Sequence, residues 1–310
     1  MVEQRERVLI IKLGALGDIV QAMGPFAAIR LHHAAALTVL LTGKSYRDFM
    51  HSSPYFDAIW VDERPKAWQI ASWLALRTRL RAGRFSMVYD LQTSDRSSFY
   101  FRLMGQPPWS GIARGCAYPH ANPNRGRLHT LDRQAEQLAM AGLPVTPAPD
   151  WSWVQVDVTR FFDVRLPFVL LIAGGAQHRP DKRWPAECYA TLAAWLIQCG
   201  RTPVLVGTSQ DHLQIKRIME ICPRAVNLSG QTSLTDLIGL GRSAVAAVGN
   251  DTGPMHLLAA SGCPYVVVLY GPASDPILCA PRGHHVITLR CPNLDDLPVA
   301  AVESVLPNTP

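Results

Sequence analysis

The feature that most constrains the fold is a recurring unit made of a short apolar run, a glycine-bearing turn and a stretch with helical periodicity. Residues 8–11 form the first apolar run, Gly14 and Gly17 follow in the turn, and residues 19–31 carry the helical pattern. Apolar runs of four or five residues indicate buried strands, and the helical stretches between them allow the strands to pair in parallel. The repetition predicts an α/β fold with doubly wound parallel sheets.

A proline-rich segment divides the chain into two halves. Residues 143–149 read LPVTPAP, and the strand–helix rhythm starts again at residue 168. A chain of 310 residues is too long for one ordinary core and suffices for two domains of about 150 residues. We therefore expect domains at 1–150 and 151–310, two Rossmann-like units facing a central cleft, with a C-terminal tail that could pack back on the first domain.

Charge and cysteine usage narrow the class of protein. The formal charge of +6 favours nucleotides, phosphorylated glycolipids, membrane surfaces or nucleic acid as partners, although a solvated surface with extra arginines explains it equally well. No nucleic-acid-binding motif accompanies the charge. The seven cysteines include no CxxC pair, which favours reduced thiols in a cytoplasmic protein over a zinc ribbon or a disulfide framework. No apolar run approaches the ~18 residues of a membrane helix, so we expect contact with a membrane at most.

Ligands of open parallel sheets bind beyond the carboxyl ends of the strands, and the first turn in such a place runs from Gly14 to Asp18. Its glycines allow close backbone approach, and Asp18 stands at the start of the following helix. A carboxylate there is either a cap that interacts with the helix dipole or a catalytic base. The turn alone leaves both alternatives open.

A second turn, residues 173–185 (AGGAQHRPDKRWP), follows one apolar run and precedes a helical stretch. Its glycines and its adjacent Lys182 and Arg183 could cradle a diphosphate, with help from backbone amides of the helix start. The alternative is an ordinary surface loop.

A third turn, residues 250–256 (NDTGPMH), follows another apolar run. Thr252 and Gly253 would present backbone N–H groups at a helix start, which is an anion site. The alternative is a plain capped helix with Asp251 or Thr252 as the N-cap. A cap does not account for His256 in the same turn.

Four segments together carry a family resemblance. They are IKLGALGDIVQA at 11–22, VYDLQTSDRSS at 88–98, KRWP at 182–185 and GNDTGPMHLLAA at 249–260. Each is weak alone, but they occur in the order and approximate spacing found in the heptosyltransferases, glycosyltransferase family 9, which the chain resembles over nearly its whole length.

The resemblance implies a GT-B fold, in which the first domain binds the acceptor and the second binds the sugar nucleotide. It implies transfer of a sugar, typically heptose from ADP-heptose, onto the lipopolysaccharide core, with inversion of the anomeric centre and generally without a metal. The sugar nucleotide is then a co-substrate, and no cofactor is expected. The acceptor would be a phosphorylated or acidic glycolipid at the cytoplasmic face of the inner membrane, and no nucleic-acid partner is expected.

The resemblance also implies roles for single residues. Asp18 would be the general base on the acceptor hydroxyl, and Lys182 would neutralise charge on the donor diphosphate. Backbone amides of Thr252 and Gly253 would bind the donor diphosphate, and Asp211 would bind the ribose. Asp251 and His256 would contact the sugar. Gln177 and His178, which stand where the family often has Ser or Thr, would also contact the donor.

For the acceptor we expect contacts from the first half of the chain. Gly14 and Gly17 would allow its approach, and Arg96 and Arg125 are candidate contacts for its phosphates or acidic sugars. Each arginine could as well be a solvated surface residue.

Two other classes of protein remain. A non-catalytic protein that binds a sugar nucleotide or glycolipid on the same fold would have no need of a carboxylate at Asp18. An NAD-dependent oxidoreductase is favoured only by the Rossmann-like rhythm, and the missing GxGxxG counts against it. The donor half shows no DxD-like metal motif, so lysine and helix dipoles would take the place of a cation.

Overall fold

The computed structural model describes residues 5–161, 164–175 and 179–307. The chain separates into two compact units, Met1–Trp153 and Val154–Pro310, each with its own parallel sheet. The proline-rich segment therefore lies inside the first unit. Trp151, which follows that segment, is buried and stacks on Phe49 at 6.2 Å between ring centroids, which ties the end of the unit to its body.

The first unit contains a six-stranded parallel sheet. Its strands are β1 (Arg7–Ile11), β2 (Leu37–Gly43), β3 (Ala58–Asp62), β4 (Met87–Asp90), β5 (Trp109–Gly111) and β6 (Tyr118–Pro119). The spatial order is β3-β2-β1-β4-β5-β6, so β1 lies at the point where the strand order reverses. Ligands of such sheets bind at the carboxyl end of this switch point, where the turn after β1 lies.

Helices connect the strands of the first unit. They are α1 (Leu16–Gln21), α2 (Met23–His32), α3 (Arg47–His51), α4 (Ile70–Ala82), α5 (Asp95–Leu103) and α6 (Thr130–Met140). The apolar residues of β1, such as Leu9 and Ile11, pack with Val88 and Trp109 in the core. α2 has seven buried residues, whereas α4 buries only Leu80.

The second unit repeats the architecture. Its strands are β7 (Phe168–Ile172), β8 (Thr202–Leu205), β9 (Val226–Asn227), β10 (Ala246–Asn250), β11 (Val266–Tyr270) and β12 (Val286–Arg290). Their order, β12-β11-β10-β7-β8-β9, places β7 and β10 at the reversal of strand order. The second and third turns of the sequence analysis follow these two neighbouring strands and so share one edge of the sheet.

The helices of the second unit are α7 (Ala186–Gln198), α8 (His212–Ile221), α9 (Leu234–Ser243), α10 (Gly253–Ser261), α11 (Pro276–Cys279) and α12 (Val299–Glu303). The sequence leaves open a return of the C-terminal tail to the first domain; of its described residues, Val302 and Leu306 pack in the core of the second unit. The Arg201 guanidinium also donates to the carbonyl of Pro307. No helix in the described ranges is long and apolar enough to cross a membrane.

Candidate functional site

The turn after β1 holds Asp18 in the first turn of α1. One carboxylate oxygen accepts a hydrogen bond from the backbone N–H of Ala15 at 3.0 Å. The other lies 3.8 Å from the Lys12 ammonium, and 42% of the Asp18 side chain stays exposed. The helix-cap contact and an accessible carboxylate therefore coexist at this position.

Near that turn lie two buried ionisable residues, Lys12 and Asp90, which the sequence patterns did not indicate. Burial lowers the pKa of Lys12, and the negative charges of Asp18 and Asp90 oppose this change. The Lys12 ammonium donates a hydrogen bond to the carbonyl of Leu91 at 2.9 Å. Burial raises the pKa of Asp90 to about 6, although the amides of Gln92 and Thr93 donate to it. The available signal was a lysine directly after the apolar run of β1.

Gly14 lets the chain pass close to a tyrosine. Its φ of +122° lies in the region that favours glycine, and a Cβ there would stand 2.6 Å from Cε2 of Tyr46. Gly17 lies in the first turn of α1. The two predicted acceptor-side glycines therefore differ. Position 14 requires glycine because the backbone there passes close to Tyr46, whereas Gly17 is a residue of a regular helix.

A cavity of about 570 Å³ opens at the carboxyl edge of the first sheet. Its lining includes Gly14 and Tyr46 together with Lys44, Glu63 and Arg64. The Arg64 guanidinium donates to the carbonyl of Leu13 at 2.8 Å, which joins the segment after β3 to the turn after β1. The cavity therefore stands where a ligand of a doubly wound sheet is expected.

Arg96 makes several contacts within the first unit. Its Nε donates to the Tyr100 hydroxyl at 2.6 Å and lies 3.4 Å from the Asp62 carboxylate, and the guanidinium covers the Trp73 ring at 5.0 Å. Such contacts hold the side chain in one orientation. Its predicted contact with an acceptor stays a prediction.

Arg125 lies in a 3₁₀ turn, Arg125–Arg127. Its Nε donates to Nδ1 of His120 at 3.4 Å, and burial lowers the pKa of the guanidinium, as does the neighbouring Arg133. Its predicted contact with an acceptor is likewise untested.

In the second unit, Lys182 and Asp251 form an ion pair between the turns that follow β7 and β10. The Lys182 ammonium lies 2.7 Å from Oδ2 of Asp251, with 18% and 9% of the two side chains exposed. Burial alone would raise the pKa of Asp251, but hydrogen bonds from Lys182 and Ser274 and the nearby His256 bring it below its ordinary value. His256 Nε2 lies 4.0 Å from the other carboxylate oxygen.

The start of α10 carries no side-chain cap. Thr252 is the N-cap residue, but its hydroxyl donates to the carbonyl of Asn250 at 3.1 Å. Gly253 is the first helical residue, and the N–H of that position has no partner within the helix. The plain-cap alternative is not realised by either Asp251 or Thr252, and the positive end of the helix dipole stands beside Lys182 and Asp251.

Asp211 binds the glycine turn after β7. Its Oδ1 accepts from the backbone N–H of Gly175 at 3.3 Å, and its Oδ2 accepts from the amide and the hydroxyl of Thr208, both at 2.9 Å. A Cβ on Gly174 would stand 2.5 Å from the carboxylate carbon of Asp211. Arg183 lies 3.8 Å from Oδ1. The expected ribose contact of Asp211 stays a prediction.

Asn250 connects three segments of this site. Its amide nitrogen donates to the carbonyls of Ala173 and Gly174 at 3.0 and 2.9 Å, and its oxygen accepts from the Trp184 amide and the Tyr189 hydroxyl at 3.0 and 3.1 Å. Asn250 is fully buried. It ends β10 instead of belonging to the turn, and it holds the backbone on both sides of Lys182.

Two predicted donor contacts, Gln177 and His178, lie outside the described residues. Within the described ranges, no cluster of three or more His, Cys, Asp or Glu side chains has a geometry that could hold a metal ion.

Comparison with known proteins connects this geometry to an enzyme class. The family model described as glycosyltransferase family 9 (heptosyltransferase) matches residues 73–307. Lipooligosaccharide heptosyltransferase 2 of Haemophilus influenzae is 39% identical over 227 residues, which cover 64% of this chain and 65% of that protein. Lipopolysaccharide heptosyltransferase 2 of Escherichia coli is 27% identical over 312 residues, which cover 92% and 88%.

The fold also matches a solved structure, the E. coli ADP-heptose lps heptosyltransferase II. The TM-score is 0.78 at 24% identity, and the match covers 96% of both chains. The match shows a GT-B fold, as the family resemblance implied. The family model shows the class of protein, a glycosyltransferase. The chain belongs to glycosyltransferase family 9, the heptosyltransferases.

Proposed function

We propose that this enzyme transfers a heptose from ADP-heptose to a hydroxyl group of a lipopolysaccharide-core acceptor. The names of its relatives support the donor and the pathway, since they are lipopolysaccharide and lipooligosaccharide heptosyltransferases and the similar structure is that of an ADP-heptose enzyme. Transfer to such an acceptor would take place at the cytoplasmic face of the membrane in which the acceptor is anchored.

The observation that carries the proposal is the position of Lys182 beside the uncapped start of α10. A diphosphate leaving group needs positive charge that is already in place when the sugar–oxygen bond breaks. Lys182 supplies a cation, and the first amide of α10 supplies a hydrogen-bond donor aligned with the helix dipole. Arg183 adds a second cation from the same turn. These groups would bind the diphosphate and stabilise its charge without a metal ion.

The chemistry is a single displacement with inversion. The acceptor oxygen bonds to the anomeric carbon of the heptose, the bond from that carbon to the β-phosphate oxygen breaks, and ADP leaves with the electron pair. The acceptor hydroxyl gives its proton to the carboxylate of Asp18, whose exposed side chain supports this role. Lys182 and the amide of Gly253 take up the charge that develops on ADP.

The cavity of the first unit carries charges of both signs, which suits a sugar acceptor that bears a phosphate or a carboxylate. Lys44 and Arg64 line it, and Ala15, three residues before Asp18, lies at its wall. The same cavity of about 570 Å³ is also lined by Asp62 and Glu63. Its two cations would meet a phosphate or a carboxylate, and its two carboxylates would accept hydrogen bonds from sugar hydroxyl groups.

The alternative function is binding of a sugar nucleotide without transfer, because the same phosphate site would serve a binding protein. Two measurements separate the alternatives. A thermal-shift series should show stabilisation by ADP and ADP-heptose above that by UDP and GDP. A transfer assay with ADP-heptose and a delipidated core oligosaccharide should yield a glycosylated product. NMR should show that the anomeric configuration of the new bond is inverted relative to that of the donor.

Each negative outcome of these experiments would contradict a different part of the proposal. Stabilisation by ADP without any transfer would favour the binding protein. Equal responses to ADP, UDP and GDP would contradict the adenine nucleotide. Loss of transfer in EDTA, restored by a divalent cation, would contradict the metal-independent mechanism.

A further inference from the structure

Helix α4 of the first unit is exposed over nearly its whole surface. Ten of its thirteen residues are exposed, Trp73 and Leu76 are half-buried, and Leu80 alone is buried. Most helical stability in proteins comes from packing an apolar face, so a helix of this length normally buries a broader stripe.

The exposed side of α4 carries large apolar groups at its start. Trp68, Ile70 and Leu74 are 73%, 70% and 54% exposed. Ile70 and Leu74 are neighbours on one helix face because they are four residues apart. Phe99 of α5, itself 44% exposed, contacts Trp73 edge-on at 5.4 Å between ring centroids and extends the apolar area.

Positive charge continues the same stripe. Arg77 and Arg81 follow Ile70 and Leu74 at helical spacing, and the segment 64–89 contains six Lys or Arg residues and no Asp or Glu. Lys66 lies over the Trp68 ring at 5.2 Å. Within the described residues, neither Arg77 nor Arg81 forms a salt bridge, whereas the exposed Arg217 of α8 pairs with Glu187 and Glu220.

We propose that this surface, the α4 patch of Trp68, Ile70, Leu74, Arg77 and Arg81, docks the enzyme on an anionic lipid bilayer. The Arg81 Nε donates to the carbonyl of Leu103 at 2.8 Å, so its charge is not neutralised by that contact. An exposed helix with tryptophan and aliphatic groups beside such arginines is suited to the membrane interface, where the apolar groups enter the acyl boundary and the cations meet lipid phosphates. The long arginine side chains also reach headgroups while their stems cover apolar surface. Charge of a single sign matches an anionic surface better than it matches a second copy of this basic patch.

The α4 patch begins a short distance along the chain from the cavity of the first unit. Glu63 and Arg64 line that cavity, and Trp68 follows Arg64 by four residues. The intervening Pro65 is held in place, because its carbonyl accepts from the Arg96 guanidinium at 3.3 Å. A bilayer at the patch would hold a lipid-anchored acceptor close to the cavity; this last consequence rests on the proposed function, whereas the docking does not.

Vesicle sedimentation of the full chain tests the docking. The chain should pellet with vesicles of phosphatidylcholine and phosphatidylglycerol, far less with phosphatidylcholine alone, and should be released by salt that screens the charges. Arg77→Gln with Arg81→Gln should weaken binding more than tenfold, because each basic residue near an anionic surface contributes about fivefold. Trp68→Ser with Leu74→Ser should weaken binding about tenfold or more, since two apolar groups lose their burial.

Control variants come from α8, where Leu213 is 81% exposed, and from the segment that follows it, which carries the exposed Arg224. Leu213→Ser, and separately Lys216→Gln with Arg224→Gln, should bind vesicles as the parent does, and all variants should keep its melting temperature. The proposal would be overturned if the chain bound neutral and anionic vesicles equally, or bound neither. It would also be overturned if the control variants lost as much vesicle binding as the patch variants. Dimerisation that depends on Trp68 and Leu74, without vesicle binding, would assign the patch to a second copy and also overturn it.

Transfer to a soluble, delipidated acceptor separates this proposal from the proposed function. The patch variants should keep that activity while losing activity on acceptor embedded in anionic vesicles. Absent transfer in the parent would contradict the proposed function and leave the vesicle result standing. Equal activity of parent and patch variants on both acceptors would overturn the role of the patch in acceptor delivery.

Discussion

At the scale of single residues, Asp18 shows how one carboxylate can meet two demands. Its bond to the Ala15 amide orders the start of α1, and its other carboxylate oxygen lies 3.8 Å from the Lys12 ammonium. The exposed remainder of the side chain is available to a substrate. Capping and proton transfer are therefore separable by measurement, because a lost cap lowers stability and a lost base lowers the rate.

We predict that Asp18→Ala lowers kcat by about two to four orders of magnitude and the free energy of unfolding by only about 1 kcal/mol. Steady-state kinetics and chemical denaturation measure the two effects. Asp95→Ala is the matched control, because Asp95 is also a carboxylate in the first turn of a helix of this unit. Near-parental turnover by the Asp18 variant would remove it from the mechanism.

Asp90 predicts a pH dependence of stability. Burial raises its pKa to about 6 in the folded chain, above the ordinary 3.8. Its contribution is therefore fully present below pH 4 and is lost as the pH rises through 6. Relative to Asp90→Asn, the parent should lose up to about 3 kcal/mol between pH 4 and pH 7. Denaturant titrations at several pH values measure this difference, and parallel profiles for the two proteins would refute it.

The pair Lys182–Asp251 gives a third test at this scale. Lys182→Ala should weaken ADP binding and lower kcat, and it should also cost about 1–3 kcal/mol of stability because it leaves a nearly buried carboxylate without its cation. Adding Asp251→Asn should restore stability without restoring transfer. Lys216→Ala, in an exposed lysine of the same unit, is the control. A double variant that recovers transfer would show that Lys182 acts only through Asp251.

At the scale of elements, the donor site is an assembly of turns held by one buried amide. Asn250 at the end of β10 bonds to the turn after β7, to the Trp184 amide just before α7, and to the Tyr189 hydroxyl within α7. Trp184, fully buried, anchors the same turn through its indole N–H to the carbonyl of Leu297. The position of Lys182 therefore depends on contacts made by its neighbours along the chain.

We predict that Asn250→Ala lowers the free energy of unfolding by about 3 kcal/mol or more, because it leaves several buried polar groups without partners. Its ADP affinity should fall as well, since the turn carrying Lys182 loses its anchor. Denaturation and calorimetric titration measure the two quantities. Asn293→Ala, which removes an exposed helix-start contact, is the control. An unchanged stability would show that Asn250 is not the element that connects these turns.

At the scale of the whole molecule, the chain contains two units, each with its own sheet and buried core. A protein with separate cores need not unfold in one step. Because the proposed donor site lies entirely in the second unit, ADP should raise the melting temperature of the transition that Asn250→Ala lowers, by the linkage of binding to folding. Differential scanning calorimetry of both proteins with and without ADP tests this. An ADP shift confined to the other transition would place the nucleotide in the first unit.

Much of the fold followed from the sequence because it depends on local patterns. The apolar runs indicated the long strands, and the glycine turns indicated where the strands end. The exact ends of the strands did not follow from these patterns: the sequence predicts a turn that begins at Asn250, whereas β10 includes this residue. A buried asparagine is favourable in a strand when other residues form hydrogen bonds with its side-chain amide. The partners of Asn250 are 60 or more residues away in the sequence.

The sequence by itself determined the α/β class, the two-unit arrangement of strands and helices, the glycosyltransferase family and the candidate roles of Asp18 and Lys182. Only the tertiary structure decided that Lys12 and Asp90 lie buried near the turn that holds Asp18, that Lys182 pairs with Asp251, and that α4 leaves apolar and basic groups exposed together. The physical reason is that periodicity and turn chemistry are local, whereas burial and charge pairing depend on residues that only folding brings together.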